Sequence, residues 1–105
     1  MERKLKFIVT GQVIQKDPTC DFSNIVPGSS GYLTAHFTFS AEWEGCVKAA
    51  SFWAAGDEHA ELLTDDACTI PAAALVGRKF EVSVTGAGPG SYYIPTGRAT
   101  VRQEG

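Results

Sequence analysis

The sequence lacks the features that mark membrane proteins and nucleic-acid-binding proteins. Its 105 residues include 9 Lys and Arg against 12 Asp and Glu, a formal net charge of -3, so no overall positive field attracts phosphates. No apolar stretch approaches the roughly 18 residues that span a bilayer, and the first seven residues contain no signal-peptide core. We therefore expect a chain made in the cytoplasm, with neither nucleic-acid nor membrane partners.

Cysteine and histidine are also scarce. Cys20, Cys46 and Cys68 are widely spaced and form no Cys-x-x-Cys pair, which fits neither a disulfide framework nor a zinc site. His36 and His59 are too far apart in sequence to indicate a metal cluster. No nucleophile elbow, zinc-protease motif or phosphate loop is present. We expect reduced thiols, no metal, no cofactor and no enzymatic activity.

One thiol arrangement is kept as an alternative function. Cys68 lies near His59 and Asp66 in sequence, and these residue types form thiol-enzyme triads. However, Ala67 and Ile70 give Cys68 apolar company, and free cysteine is among the residues most often buried. A buried structural cysteine that reacts slowly is therefore expected.

What the sequence does contain is the period-two alternation of half-buried β-strands. It predicts strands at residues 5–13, 32–40, 47–54, 60–64, 67–70, 80–85 and 96–102, with short extended pieces at 22–26 and 92–94. Turns are expected at 56–58, 65–66 and 86–90, and one helical turn at 71–76. This spacing predicts a single domain, residues 1–105, folded as an immunoglobulin-like antiparallel β-sandwich of seven or eight short strands.

The alternation also assigns a core. The residues expected between the two sheets are Leu33, Phe37, Phe39, Phe52, Phe80, Val82 and Val84. Trp43 is expected to fill the core at a sheet corner, while its neighbours Glu42 and Glu44 face solvent. The strand at 32–40 has the clearest alternation and is expected to lie centrally in its sheet.

Two groups of residues are candidate contact sites. Tyr92 and Tyr93 lie beside the glycine-rich loop 86–90, where exposed aromatic rings, with Trp53 as a further candidate, would stack on a sugar. Because successive strand residues point to opposite faces, only one of the two tyrosines is expected to join a flat platform. Lys6 and Arg102 lie on the terminal strands, which we expect at or next to the sheet edges. Their charges either guard those edges or meet an acidic partner surface.

Three ordered segments resemble a known family. They are residues 32–45, Tyr-Leu-Thr-Ala-His-Phe-Thr-Phe-Ser-Ala-Glu-Trp-Glu-Gly, residues 62–71, Leu-Leu-Thr-Asp-Asp-Ala-Cys-Thr-Ile-Pro, and residues 80–86, Phe-Glu-Val-Ser-Val-Thr-Gly. Together with Lys48 and residues 50–52, this pattern resembles small domains of tailed phages and prophages of Gram-positive bacteria. The likeness covers roughly residues 32–101 and includes N-terminal domains of baseplate and tail-fibre proteins.

The resemblance implies a non-enzymatic β-sandwich that attaches or assembles virion parts. It transfers no catalytic residue. The partners it implies are other virion proteins, with a second copy of the chain and a host-surface carbohydrate left open, and the location is the bacterial cytoplasm during expression and then the virion. The alternative from the residues themselves is a carbohydrate-binding module that uses the aromatics near loop 86–90.

Overall fold

The computed structural model describes residues 2–104, which form nine strands and two 3₁₀ turns. The strands are β1 (Arg3–Thr10), β2 (Val13–Lys16), β3 (Leu33–Phe39), β4 (Val47–Ala54), β5 (Asp57–Leu62), β6 (Ala67–Thr69), β7 (Lys79–Ala87), β8 (Tyr93–Pro95) and β9 (Ala99–Arg102). The 3₁₀ turns are Ala41–Trp43 and Ala72–Leu75. The second turn was predicted and the first was not.

The strands form two sheets that face each other. Sheet A has the order β2-β1-β3-β6, and sheet B has the order β5-β4-β7, with β8 and β9 both pairing with β7. All pairs are antiparallel except β1 and β3, which run parallel with Phe7 opposite Phe37. The predicted all-β sandwich is confirmed, with nine strands instead of seven or eight. β3 lies centrally, between β1 and β6, as expected.

The space between the sheets holds one apolar cluster. Six of the seven expected core residues are buried, and the seventh, Phe39, is partly buried against the same cluster. Trp43 is fully buried and donates a hydrogen bond from its Nε1 to the Gly11 carbonyl oxygen at 2.8 Å. Both Glu42 and Glu44 are exposed, which confirms the expected placement of the Glu-Trp-Glu segment.

The first predicted strand, residues 5–13, is wrong at its end. β1 ends at Thr10, and the chain turns through Gly11, whose φ is +57°. Glycine at the first central position is typical of a two-residue hairpin loop. The turn reverses the alternation, so that Val13 is exposed and Ile14 is buried.

The extended piece predicted at 22–26 is not a strand. This segment is held as a loop by Arg3, whose guanidinium donates hydrogen bonds to the backbone oxygens of Asp21, Ser23 and Asn24 at 3.0, 2.6 and 3.1 Å. Just before it, the sulfur of Cys20 accepts a hydrogen bond from the backbone amide of Lys6 at 3.4 Å. The loop thereby covers part of the N-terminal half of β1, which β2 is too short to reach.

One turn precedes β5 and another follows it. The predicted turn at 56–58 is wrong, because the chain reverses one residue earlier, at Ala55 and Gly56, both with positive φ. Asp57 and Glu58 are therefore strand residues. The turn at 65–66 is confirmed by a hydrogen bond from the Thr64 amide to the Ala67 oxygen at 2.9 Å. It links different sheets, since β5 belongs to sheet B and β6 to sheet A.

Candidate functional site

One end of the sandwich carries a shallow depression of about 360 Å³, called the tyrosine pocket below. It is built from the β1–β2 turn, the β3–β4 connection, and the β7–β8 loop with the start of β8. Its lining residues are Gly11, Gln12, Glu42, Tyr92, Tyr93 and Ile94. The pocket brings together the two tyrosines that the sequence predicted as contact residues. Because Tyr92 precedes β8, the strand alternation that would have separated the two rings does not apply to it.

Local contacts hold one tyrosine in place and leave the other open. The Tyr92 hydroxyl donates a hydrogen bond to the Glu42 backbone oxygen at 2.7 Å. Its ring lies against Gly88, where an added Cβ would stand 2.9 Å from the ring Cδ2. Tyr93 begins β8 and is 62% exposed. The pocket therefore offers one fixed and one accessible aromatic ring.

The polar groups of the pocket are an amide and a carboxylate. Gln12 Nε2 donates a hydrogen bond to the Pro95 oxygen at 3.1 Å. The Ser40 hydroxyl, and then the backbone amide of Glu42 itself, hold the pKa of the Glu42 carboxyl below its ordinary value. Glu42 is therefore ionised at neutral pH and contributes a negative charge beside the two rings.

Tyr93 also belongs to an apolar surface on the outer face of sheet B. Strand register places two neighbouring rows of side chains on this face. The first row is Leu62, Ala49, Thr85 and Pro95, and the second is Val47, Ala87 and Tyr93. These seven residues, called the apolar rows below, include no charged side chain. Leu62 and Val47 are 70% and 69% exposed, the highest values among the large hydrophobic residues of the described chain.

Trp53 was the further aromatic candidate, but the outer face of its indole ring is not available for stacking on a sugar. The Arg98 guanidinium lies 3.8 Å from the centre of the indole ring. Arg98 also pairs with Glu81 at 3.2 Å, and Trp53 Nε1 donates a hydrogen bond to the Ser83 hydroxyl at 3.0 Å. Part of this cluster lines a second groove of about 370 Å³, in which the indole is already covered by a cation.

Lys6 and Arg102 do not form a common surface. Lys6 lies on β1, which pairs with β3 on one side and with the short edge strand β2 on the other, so β1 is next to the edge of its sheet, as expected. Arg102 lies on β9, which within residues 2–104 pairs only with β7 and is an edge as expected. Both side chains are exposed, but they belong to the outer faces of different sheets. One partner surface cannot contact both on the same copy.

The thiol triad is not assembled. Asp66 is bound by Lys48, with 2.9 Å between Nζ and Oδ1, and Cys68 shares a shallow surface depression with His36, not with His59. Burial, and to a smaller extent the charge of Glu61, raises the pKa of the Cys68 thiol to about 12. The thiol is protonated at neutral pH and is a poor nucleophile. All three cysteines are free in the structure.

No metal-binding group is found in residues 2–104, where no three His, Cys, Asp or Glu side chains are arranged to hold an ion. Within the same residues, no helix has the length and apolar character needed to cross a membrane.

Four residues in these surfaces, Gln12, Glu42, Val47 and Leu62, could not be predicted directly from the sequence. Gln12 and Glu42 reach the tyrosine pocket from connections 30 residues apart, and no pattern predicts that the two connections meet. Val47 and Leu62 looked like ordinary strand residues, because apolar residues occur on both faces of β4. One signal in the sequence was detectable: residues 49–55 contain no charged residue. A strand without charges on either face is typical of one whose two faces are both covered.

Comparison of the chain with protein-family models, with curated proteins and with solved structures finds no match.

Proposed function

We propose that this protein is a non-enzymatic structural domain of a tailed-phage virion, which docks on another virion protein through the apolar rows. The observation that carries the proposal is the exposure of Val47, Leu62 and Tyr93 on one face without a charged residue between them. Exposed apolar surface of this kind is typical of protein contact sites. The resemblance of residues 32–101 to phage domains is the reason for proposing a virion protein as the partner.

The position of the apolar rows favours docking. They lie on four hydrogen-bonded strands, β5, β4, β7 and β8, so the surface is fixed before a partner arrives. A rigid surface loses little conformational entropy on binding. The Arg98, Glu81 and Glu58 side chains lie further along the same face and supply a polar border, which is typical of interfaces with an apolar centre.

The test is to locate the protein after phage production. A tagged chain is expressed in the bacterium that carries its gene, and particles are purified on a density gradient. The proposal predicts that the chain co-migrates with intact particles at a fixed number of copies and resists a high-salt wash, because apolar contacts are not screened by salt. A chain found only in the free protein fraction contradicts it.

A second candidate function is carbohydrate binding at the tyrosine pocket. The specific observation is the combination of the exposed Tyr93 ring with the Glu42 carboxylate and the Gln12 amide in one depression. Aromatic faces stack on sugar rings, while carboxylates and amides bind hydroxyl groups.

This candidate is tested with purified cell-wall polysaccharide from a Gram-positive host. Tyr93→Ala should abolish binding, whereas Tyr32→Ala should not, since Tyr32 is an exposed tyrosine outside the pocket. Absence of binding by the unmodified chain, or equal loss in both variants, would eliminate the sugar site.

A further inference from the structure

The β5 strand is the longest open edge of the sandwich. It has six residues and pairs only with β4 in the part of the chain that the structure describes. The other edge strands, β2, β6, β8 and β9, have three or four residues each. Just past the end of β9 a loop is bound, where the Glu104 amide donates a hydrogen bond to the Ile25 oxygen at 2.7 Å.

The register shows which backbone groups of β5 are open. Glu61 lies opposite Ala50 and His59 opposite Phe52, and the Leu63 amide donates to the Lys48 oxygen at 2.9 Å. Hydrogen-bonded pairs alternate along an antiparallel ladder. Residues 57, 59, 61 and 63 therefore bond to β4, whereas residues 58, 60 and 62 direct their N–H and C=O groups away from the sheet.

The acidic side chains of this edge favour a basic partner strand. Asp57, Glu58 and Glu61 are all exposed, and His59 is the only other titratable group on the strand. Opposite charges on directly paired strand residues stabilise the pair, and like charges destabilise it. Pairing with a second, equally acidic β5 is therefore disfavoured by charge repulsion, and pairing with a basic segment is favoured.

We propose that β5 binds an extended segment of a partner protein by strand addition, with Lys or Arg opposite Asp57, Glu58 and Glu61 and an apolar residue opposite Leu62. The added strand supplies backbone partners to Glu58, Ala60 and Leu62. The proposal rests on the proposed docking function and names the chemistry of the segment that docks. Leu62 belongs both to this edge and to the apolar rows, so one partner can cover both.

The antiparallel register gives a specific probe. Read from the residue opposite Leu62 to the residue opposite Asp57, the complementary segment is Val-Lys-Val-Thr-Lys-Lys. A peptide with this sequence, blocked at both ends and flanked by glycines, is titrated into the isotope-labelled full chain. A second peptide with Glu in place of each Lys is the charge control.

The expected result is an alternating pattern of amide protection. The amides of Glu58, Ala60 and Leu62 should shift and exchange more slowly with solvent, while that of His59, already bonded to β4, should change little. Glu61→Lys should weaken binding at least about threefold through loss of one attractive pair and gain of a repulsive one. Glu44→Lys, an exposed acid outside β5, should leave the affinity unchanged.

Three results would overturn the proposal. They are unchanged amides at residues 58, 60 and 62, equal binding of the Glu-containing peptide, and concentration-dependent protection of the same amides without peptide, which would identify a second copy as the occupant. Each is separable from failure of the proposed docking function. The chain can be present in particles with no strand added to β5, and it can bind the basic peptide while absent from particles.

Discussion

Gly86 lies directly against the indole ring of Trp43. A Cβ added to Gly86 would stand 2.8 Å from both Cε3 and Cζ3 of that ring, closer than side chains approach each other in folded proteins. The same indole donates its N–H to the Gly11 oxygen. Trp43 thus ties the β1–β2 turn of sheet A to β7 of sheet B, and it closes the core below the tyrosine pocket.

The first prediction is that Gly86→Ala lowers the free energy of unfolding by roughly 1–3 kcal/mol, the usual cost of overpacking a filled core. Gly97→Ala is the matched control, because Gly97 has no atom within 4 Å of its added Cβ and no positive φ. Chemical denaturation of both variants measures the difference. Equal stability of the two would show that Trp43 can move away without cost.

A second prediction concerns Phe37, whose ring lies between those of Phe7 and Phe39 at centroid distances of 5.4 and 5.9 Å. Phe37→Ala should reduce the free energy of unfolding by about 3–5 kcal/mol, because it leaves a cavity between the sheets. Thr38→Ala changes the next, exposed residue of β3 and should alter it by less than about 0.5 kcal/mol. A Phe37→Ala protein that melts with the parent would contradict the assigned core.

The third prediction is a pH dependence caused by Cys68. Burial raises its pKa from the ordinary 9.0 to about 12 in the folded protein, so the folded state keeps a proton that the unfolded state releases. The stability that Cys68 contributes is therefore fully present below pH 9 and is lost as the pH rises towards 12. The difference in unfolding free energy between the parent and Cys68→Ala should shrink over this range.

The same protonation makes Cys68 slow to react. A thiol-specific reagent at neutral pH should label Cys68 only when the protein unfolds, because the thiolate is the reactive form. Rapid labelling of Cys68 in the folded protein, measured by peptide mass spectrometry, would contradict the raised pKa and restore the thiol-enzyme alternative.

The sequence predicted the central strands well because the alternation of apolar and polar residues along them largely matches the alternation of buried and more exposed positions. In β3, Phe37 is buried, while His36 is half-buried and Thr38 is exposed. In β7, Val82 is buried and Glu81 is half-buried, although Ser83 on its other side is buried as well. The hairpin at Gly11 was missed because the apolar residues Val9 and Val13 continue the alternation across it. Only the exposure of Val13 and burial of Ile14 reveal the turn. The parallel pairing of β1 with β3 could not be predicted, since alternation does not encode strand direction.

The candidate site was less accessible to sequence reasoning. Tyr92 and Tyr93 were identified from their place beside a glycine-rich loop, and they do line one pocket. Lys6 and Arg102 lie on different sheets, which their charge and terminal position could not indicate. The apolar rows depend on register across four strands, and β5, β4, β7 and β8 acquire that register only when the chain folds.

The most direct test of the docking role compares two exposed valines. Val47 lies in the apolar rows and is 69% exposed, whereas Val13 lies on β2 of the other sheet and is 62% exposed. Both are changed to Glu, and the copies of each variant per purified phage particle are counted against the parent by quantitative mass spectrometry. We expect Val47→Glu to reduce occupancy at least about tenfold, the effect of roughly 1.4 kcal/mol at an interface, while Val13→Glu keeps the parent value. Full occupancy of Val47→Glu would show that the apolar rows are not the docking surface.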